Sequence, residues 1–469
     1  MKSLAILPIC VAVAFGHSHE HHEAHIGVCG GSKGVPSLLS NSDAICHGNG
    51  YLAADELAHI RHGKGHCSHA NCTAHHQGHQ YTWTSSSPCF KGQENDQEYC
   101  VFTDTTFAEH RGTTIVTTPK RAALFQRNPS FTDPSVTRGT NQDLTRTIPA
   151  KYTVQPIPGK GLGAVATTFI SRGQLIMANT ASLVFDYGAY ESLSEEEYLA
   201  LQASAIDSLP PNHRQHFLNM STHDEDTNNL PYPDLVEKLT STNAFDVDPA
   251  EDDPDQDNKF FTIFPEIARM NHDCRPNADY YFDLDSLSQY VHAVRDIYPG
   301  EEITVTYLDP TMSQHARSTK LLSNWGFQCS CPSCTASPAQ IKASDDRLRQ
   351  IAELRPEFNR HGKESSRATP QMAELMVSLF EQEKLWGWMA EAYRYAAQEW
   401  NGAGEPWTAT KYARLAVEYG IYCSGERDGD VEDMEELVAD PWGHWSWMFR
   451  TRRRMGWGTG RGRGGGDGG

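Results

Sequence analysis

The run Arg269-Met270-Asn271-His272-Asp273-Cys274-Arg275-Pro276-Asn277 decides how the middle of this chain folds, together with two runs downstream of it. These are Gly300-Glu301-Glu302-Ile303-Thr304-Val305-Thr306-Tyr307 and Cys329-Ser330-Cys331-Pro332-Ser333-Cys334. Three cysteines in a C-x-C-x-x-C hook and a fourth, Cys274, in a distant loop make the four-thiolate set that closes a structural, tetrahedral zinc site. The alternative is a pair of disulfides, but Cys329 and Cys331, one residue apart, are badly placed to bridge each other. A metal held by Cys274, Cys329, Cys331 and Cys334 would pin the segment after Tyr307 against the Asn271–His272 loop. It would close a site as well as hold a fold.

A fourth piece lies upstream, Pro158-Gly159-Lys160-Gly161-Leu162-Gly163-Ala164-Val165. A lone G-x-G is a weak signal, but four ordered pieces across residues 158–334 are a strong one. Together they resemble the SET-domain protein lysine methyltransferases. The pattern of that family is Asn-His-x-Cys-x-Pro-Asn, then Gly-Glu-Glu-(Ile/Leu)-x-x-x-Tyr, then a post-SET C-x-C-x-x-C. Within the family the chain is similar to the SET-and-MYND proteins and to fungal SET proteins that lack the MYND finger. The resemblance covers residues 112–335 well, the C-terminal helices loosely, and residues 17–110 hardly at all.

The resemblance implies an α+β fold: a SET β-clip core with a helical insertion, a post-SET zinc hook and a C-terminal helical domain. It also implies S-adenosyl-L-methionine as methyl donor, zinc as structural metal, and a protein substrate with an accessible lysine. Tyr307 becomes the catalytic tyrosine, acting by orientation and electrostatic support. Lys160, Gly161, Gly163, Asn243 (in Asn243-Ala244-Phe245), Asn271, His272 and Phe327 become donor contacts. Without the resemblance each has a plainer reading: Tyr307 and Phe327 as packing, Lys160 as an exposed turn residue, Asn271-His272 as loop. Glu301 and Glu302 are read as shaping the turn after Pro299-Gly300, and Asn277 as a backbone clamp for the Asn271 loop.

Composition bounds the rest. A chain of 469 residues has room for two to four domains. A formal charge of −20 argues against direct nucleic-acid binding and favours basic partners such as a Lys/Arg-rich tail. The acidic run Asp246–Asp255 reads as a solvated loop, with a collar for a basic substrate as the sharper alternative. Lys2, the apolar stretch Leu4–Phe15 and the small residues before Gly16 form a signal-peptide pattern over 1–16, which points to the secretory pathway. The resemblance points instead to the nucleus or cytoplasm. No apolar run is long enough for a transmembrane helix.

Residues 17–110 hold most of the 22 histidines and six cysteines: Cys29, Cys46, Cys67, Cys72, Cys89 and Cys100. That content suggests up to three disulfides, with a metal-binding His-rich module as the alternative. Residues 111–150 read as a lead-in strand and linker, and 151–308 as the SET domain with a helical insertion at 192–242. Then come the hook at 309–335, a helical domain at 336–445 and a disordered Arg/Gly-rich tail at 446–469. Within the insertion, Ser192-Leu193-Ser194-Glu195-Glu196-Glu197 supplies an N-cap serine with acids in the first turn, a helix start signal. The competing functional reading is an exported, catalytically idle SET-like binding protein whose function lies in its N-terminal module.

Overall fold

The computed structural model describes residues 83–93, 95–142, 150–222, 229–247, 259–360 and 366–455. Among them, three sheets carry the core. The largest runs in the order β1-β2-β3-β8-β10-β9, with β1 Cys89–Lys91, β2 Glu98–Asp104, β3 Thr113–Thr117, β8 Leu183–Asp186, β9 Ala244–Val247 and β10 Phe260–Ile263. Its central pair, β3 and β8, is parallel, and every residue of both strands is buried. This suits strands covered on both faces, which read as continuous rather than alternating apolar runs. A second sheet has the order β11-β14-β6-β5, with β5 Tyr152–Ile157, β6 Gly161–Ala166, β11 Asn271–His272 and β14 Glu302–Val305. The third is β12-β13-β7, from β7 Leu175–Thr180, β12 Ala278–Asp283 and β13 Ser288–Ala293.

The helical insertion forms where its caps predict. Ser194 and Glu197 complete a reciprocal capping box at the start of the helix Glu195–Asp207, which satisfies two otherwise unpaired backbone donors. That helix and its successors, Pro211–Leu218 and Tyr232–Asn243, bury Leu201, Ile206, Phe217, Val236 and Leu239 against Val116, Leu183, Phe185 and Ile263. The insertion is thus a lid on one face of the large sheet.

The C-terminal domain is helical as expected, with helices Pro338–Phe358, Pro370–Gln382, Met389–Ala403, Pro406–Cys423 and Gly429–Ala439. Their facing residues form one apolar cluster that includes Val294, which follows β13. The Arg172 guanidinium, in the turn before β7, lies 4.7 Å from the centre of the Tyr419 ring. The helical domain therefore packs directly on the sheets. No helix among the described residues is long and apolar enough to cross a membrane.

Three of the expected boundaries move. Residues 83–110 are not part of a separate N-terminal module: β1 and β2 extend the large sheet, and a disulfide joins Cys89 to Cys100. The apolar run Tyr99–Phe102 is buried there, which a detached module could not achieve. The linker expected within 111–150 holds a helical turn, Pro129–Thr132, and a strand, β4 Arg138–Asn141. Asn128 caps that turn, and Asn141 bonds to Thr180 of β7. The tail also begins later than 446, since Phe449–Arg454 is helical and Arg450 pairs with the buried Glu399. The signal-peptide pattern, the His-rich segment, the other N-terminal cysteines and most of the acidic run 246–255 lie outside the described residues.

Candidate active site

The site is built where two distant segments run side by side. A turn of 3-10 helix, Ile267–Arg269, leads into β11, which lies parallel to β14 with Asn271 opposite Thr304 and His272 opposite Val305. Asn277 secures this crossing, as expected. Its Oδ1 accepts from Thr304 N–H at 2.8 Å and its Nδ2 donates to the Glu302 carbonyl at 2.8 Å. One side chain thereby replaces two strand-to-strand hydrogen bonds.

Glu302 does more than shape a turn. One carboxylate oxygen accepts from Asn271 Nδ2 at 2.9 Å and the other from Lys160 Nζ at 2.7 Å. Asn271 Nδ2 also donates to the Leu162 carbonyl at 3.1 Å. Lys160 is thus held by a carboxylate of the protein itself. The two glycines of this strand are required for different reasons. Gly161 has φ +76° with open space where a Cβ would stand, so its backbone conformation calls for glycine. A Cβ at Gly163 would lie 2.7 Å from Asn271 Nδ2 and 2.6 Å from Ile157 Cγ1, so there the close approach calls for it.

Tyr307 lies two residues beyond the end of β14. It is tied at both ends: its N–H donates to His272 Nδ1 at 3.0 Å and its hydroxyl donates to the Met270 carbonyl at 2.8 Å. Because the hydroxyl already donates, its oxygen meets any ligand as an acceptor. Trp325 tilts over the Tyr307 ring at 5.5 Å, His272 lies at 5.4 Å and Phe327 stands edge-on at 6.5 Å. The result is a half-buried aromatic wall around one hydroxyl.

Behind this wall the four sulfurs of Cys274, Cys329, Cys331 and Cys334 lie within 4.8 Å of one another, with Cys274 and Cys334 at 3.6 Å. None of the four is in a disulfide. Zinc–sulfur bonds of about 2.3 Å place tetrahedral sulfurs roughly 3.8 Å apart, so the set fits zinc in ligand type, number and spacing. Hydrogen bonds from Cys274, Cys329 and Cys334 pull the Cys331 thiol far below its usual range, and a divalent metal would displace the protons that remain. His272 joins the two halves. Burial holds its imidazole neutral, pushed down to about 3. Its Nδ1 accepts from Tyr307, so Nε2 carries the proton and faces Cys274 Sγ at 3.3 Å.

The structure therefore gathers Lys160, Gly161, Gly163, Asn271, His272, Tyr307, Phe327 and the four cysteines into one connected network. Asn243 is engaged elsewhere: its Nδ2 donates to the carbonyls of Ser221 and Leu239, at the end of the insertion. Sequence reasoning missed Trp325, the Met270 carbonyl, the two-sided role of Glu302, and Arg317, which is buried beside the thiols. Trp325, two residues before Phe327, was the one with a usable local signal.

Residues 161–308 match the family model described as SET domain. The chain is 32% identical over 207 residues to the histone-lysine N-methyltransferase set5 of Schizosaccharomyces pombe, covering 43% of this chain and 56% of that protein. It is 30% identical over 165 residues to the N-lysine methyltransferase SMYD2 of Mus musculus, covering 30% and 37%. It is 45% identical over 69 residues to the protein-lysine N-trimethyltransferase SMYD5 of Mus musculus, covering 14% and 17%. The chain thus spans little more than half the length of the first of these relatives and less of the others. Among solved structures it is similar to Rubisco LSMT bound to AdoMet, at 12% identity and a TM-score of 0.25, over 67% of this chain and 94% of that one.

Proposed function

We propose, from a SET domain over residues 161–308, that this chain is a protein-lysine N-methyltransferase. It would use S-adenosyl-L-methionine and carry zinc on Cys274, Cys329, Cys331 and Cys334. The observation that carries the reading is the double tether of Tyr307, to Met270 and to His272, beside an Asn271 amide fixed between Glu302 and the Leu162 carbonyl.

The reaction is an in-line displacement. The lone pair of a neutral lysine amine forms a bond to the methyl carbon while the carbon–sulfur bond breaks and its electron pair stays on sulfur; the methylated ammonium then releases a proton to solvent. An unperturbed lysine has a pKa near ~10.4 and is mostly charged at neutral pH. The aromatic wall of Tyr307, Trp325 and Phe327 disfavours that charge by desolvation. It also narrows the amine's approach, which is worth most when the reacting atoms are already aligned. The Tyr307 oxygen, its proton directed at Met270, supplies negative partial charge at a fixed position and is no general base. Asn271 offers an amide whose orientation is set before any ligand arrives. Zinc would fix the hook that carries Phe327 and take no part in the chemistry.

The test is calorimetric titration of the full chain, after its zinc content is confirmed, with S-adenosylmethionine or its demethylated product, wild type beside Asn271→Ala. Transfer of labelled methyl groups to lysine-containing proteins is then followed. Saturable binding lost in Asn271→Ala, with label on lysine, is the expected result. A folded, zinc-loaded chain that binds neither ligand would overturn the reading. It would return the exported, idle binder, whose supports lie in the N-terminal segment outside the described residues.

A further inference from the structure

The acidic run 246–255 begins on a residue that is not a solvated loop position. Asp246 lies in β9 and is partly buried. Its Oδ1 accepts from the Tyr187 hydroxyl at 2.9 Å, and burial pushes its carboxyl up to about 6. Tyr187 opens a short helix, Tyr187–Ser192, directly after β8. Together with Tyr190, Tyr198, Phe261, Thr240 and Ser241 it lines a cleft on the insertion side of the large sheet.

Three properties of this cleft define what it can hold. Its walls are aromatic: Tyr187 stands edge-on to Phe261 at 5.7 Å and 88°, and Tyr190 edge-on to Tyr198 at 5.3 Å and 68°. Ring faces carry negative potential and attract cations. Its hydroxyl protons are already committed. Tyr187 donates to Asp246, Thr240 to the Val236 carbonyl at 2.8 Å and Ser241 to the Lys238 carbonyl at 3.3 Å. These three oxygens therefore meet a ligand as acceptors. Its free volume is about 20 Å³, room for one small group and not for a planar guanidinium or a ring. The rim is negative as well. Glu237, half-buried, stands one turn before Ser241 on the same face of the helix Tyr232–Asn243.

The cleft is distinct from the Tyr307 network and shares no residue with it. Ala244 of β9 lines it. The next residue, Phe245, points to the opposite face of that strand, where it stands edge-on to Phe264 and Tyr280.

We propose that this cleft is a cation site that takes the alkylammonium tip of a lysine side chain, unmodified or singly methylated, from a basic segment of a partner protein. The ring faces attract the charge, the hydroxyl oxygens accept its N–H bonds, and Asp246 and Glu237 supply the counter-charge at the rim. A trimethylated tip has no N–H to donate and outgrows the free volume. The inference goes beyond the function proposed above: the methyl donor takes no part in it, and the lysine held here is not the one that reacts.

The experiment is an NMR titration of the full chain, without methyl donor, with two probes of equal length. One is n-butylammonium, the lysine side chain alone; the other is n-butanol, which carries no charge. Butylammonium is expected to bind at least about tenfold more tightly, the scale of a partly desolvated cation–π contact. That advantage should vanish in Tyr190→Ala and survive in Tyr190→Phe, which keeps the ring. Trimethylbutylammonium should bind more weakly than butylammonium, and tighter binding would overturn the assignment to the lower methylation states. Butanol bound as tightly as butylammonium, or full affinity in Tyr190→Ala, would overturn the site itself. Ser241 is half-exposed, so Ser241→Arg blocks the cleft without disturbing the core. Undiminished binding in that variant would overturn the proposal even if Tyr190→Ala failed to fold. None of these outcomes bears on the donor site, which is read separately by S-adenosylmethionine binding.

Discussion

Arg275 Nη2 donates to the Glu383 carboxylate at 2.7 Å, with both side chains nearly buried, at 8% and 3% exposure. Arg275 directly follows Cys274, and its Nη1 also bonds to the Cys274 and Pro310 carbonyls. Glu383 stands at the end of the helix Pro370–Gln382 and accepts Arg347 and Ser344 as well. The helical domain is thereby wired to the loop that carries the first cysteine. Removing one partner of a buried pair leaves the other charge stranded and costs about 3–5 kcal/mol. Glu383→Ala is expected to fall in that range in urea denaturation, and to be non-additive with Arg275→Ala in a double-mutant cycle. Strict additivity of the two would mean that the contact is incidental.

Tyr307→Phe removes the hydroxyl and with it the hydrogen bond to Met270. Stability should change by only about 1 kcal/mol, because the ring keeps its packing against Trp325 and His272. Methyl transfer should fall by roughly 10²–10³-fold, the usual scale for losing one preorganised polar group at a reacting centre. Donor binding should stay within about threefold. Single-turnover transfer and calorimetry on the same preparation check both halves. A Phe variant with near wild-type transfer would remove Tyr307 from the chemistry.

How much of this was legible in the sequence follows from how local each signal is. Asn271, Cys274, Tyr307 and the cysteine hook announce themselves by spacing along the chain. The serines and acids of Ser192–Glu197 announce a helix in the same way. The partners do not. Glu302 is separated from Lys160 by β6, β7 and the whole insertion, so its two-sided role exists only after folding. Arg317 looks like a surface residue of a polar segment, and only its neighbours show that it is buried beside sulfur. At Asn243 a short motif match suggests a ligand contact, and what only the fold shows is that its amide Nδ2 donates to two carbonyls at a helix end. Residues 83–104 were hidden by the His/Cys-rich composition that precedes them, although Tyr99–Phe102 is a buried strand.

The Cys89–Cys100 disulfide joins register partners of β1 and β2 across a separation of 11 residues. Closing a loop of that size restrains the unfolded chain by about 3 kcal/mol. The double variant Cys89→Ser/Cys100→Ser, or mild reduction, should lower unfolding stability by roughly that amount. Zinc content should not change, since this pair lies on a different sheet from β11. Metal analysis alongside denaturation separates the two cysteine classes. Loss of zinc on mild reduction would show that they are linked.

The pH dependence of stability comes from groups that titrate differently once buried. Burial pushes His213 down to about 3 and His292 down to about 4. These two contribute stability above their unfolded value of about 6.5 that fades as pH falls. Burial also pushes Asp246 up to about 6 and Asp279 up to about 7. The folded chain therefore takes up protons there before the unfolded chain does, which gains stability as pH falls over the same window. His272 adds to the first set and Asp273 and Asp430, pushed up by burial to about 6 and about 7, add to the second, so the two signs largely offset each other between about pH 7 and 4.5. Glu266 breaks the balance. Burial opposes its ionisation, but the paired Arg111 guanidinium, 2.6 Å away, and the hydrogen bond to His216 outweigh that and hold its carboxyl well below the usual range. Its contribution is complete above the unfolded value of about 4.3 and is lost as pH falls below it. Urea denaturation is thus expected to show a plateau from pH 7 to about 4.5. Below that, stability should fall by an additional ~1.4 kcal/mol per pH unit from this one group. Glu266→Gln should be less stable at neutral pH and lack that component of the acid limb. An acid limb of unchanged steepness in Glu266→Gln would assign the loss to other carboxylates.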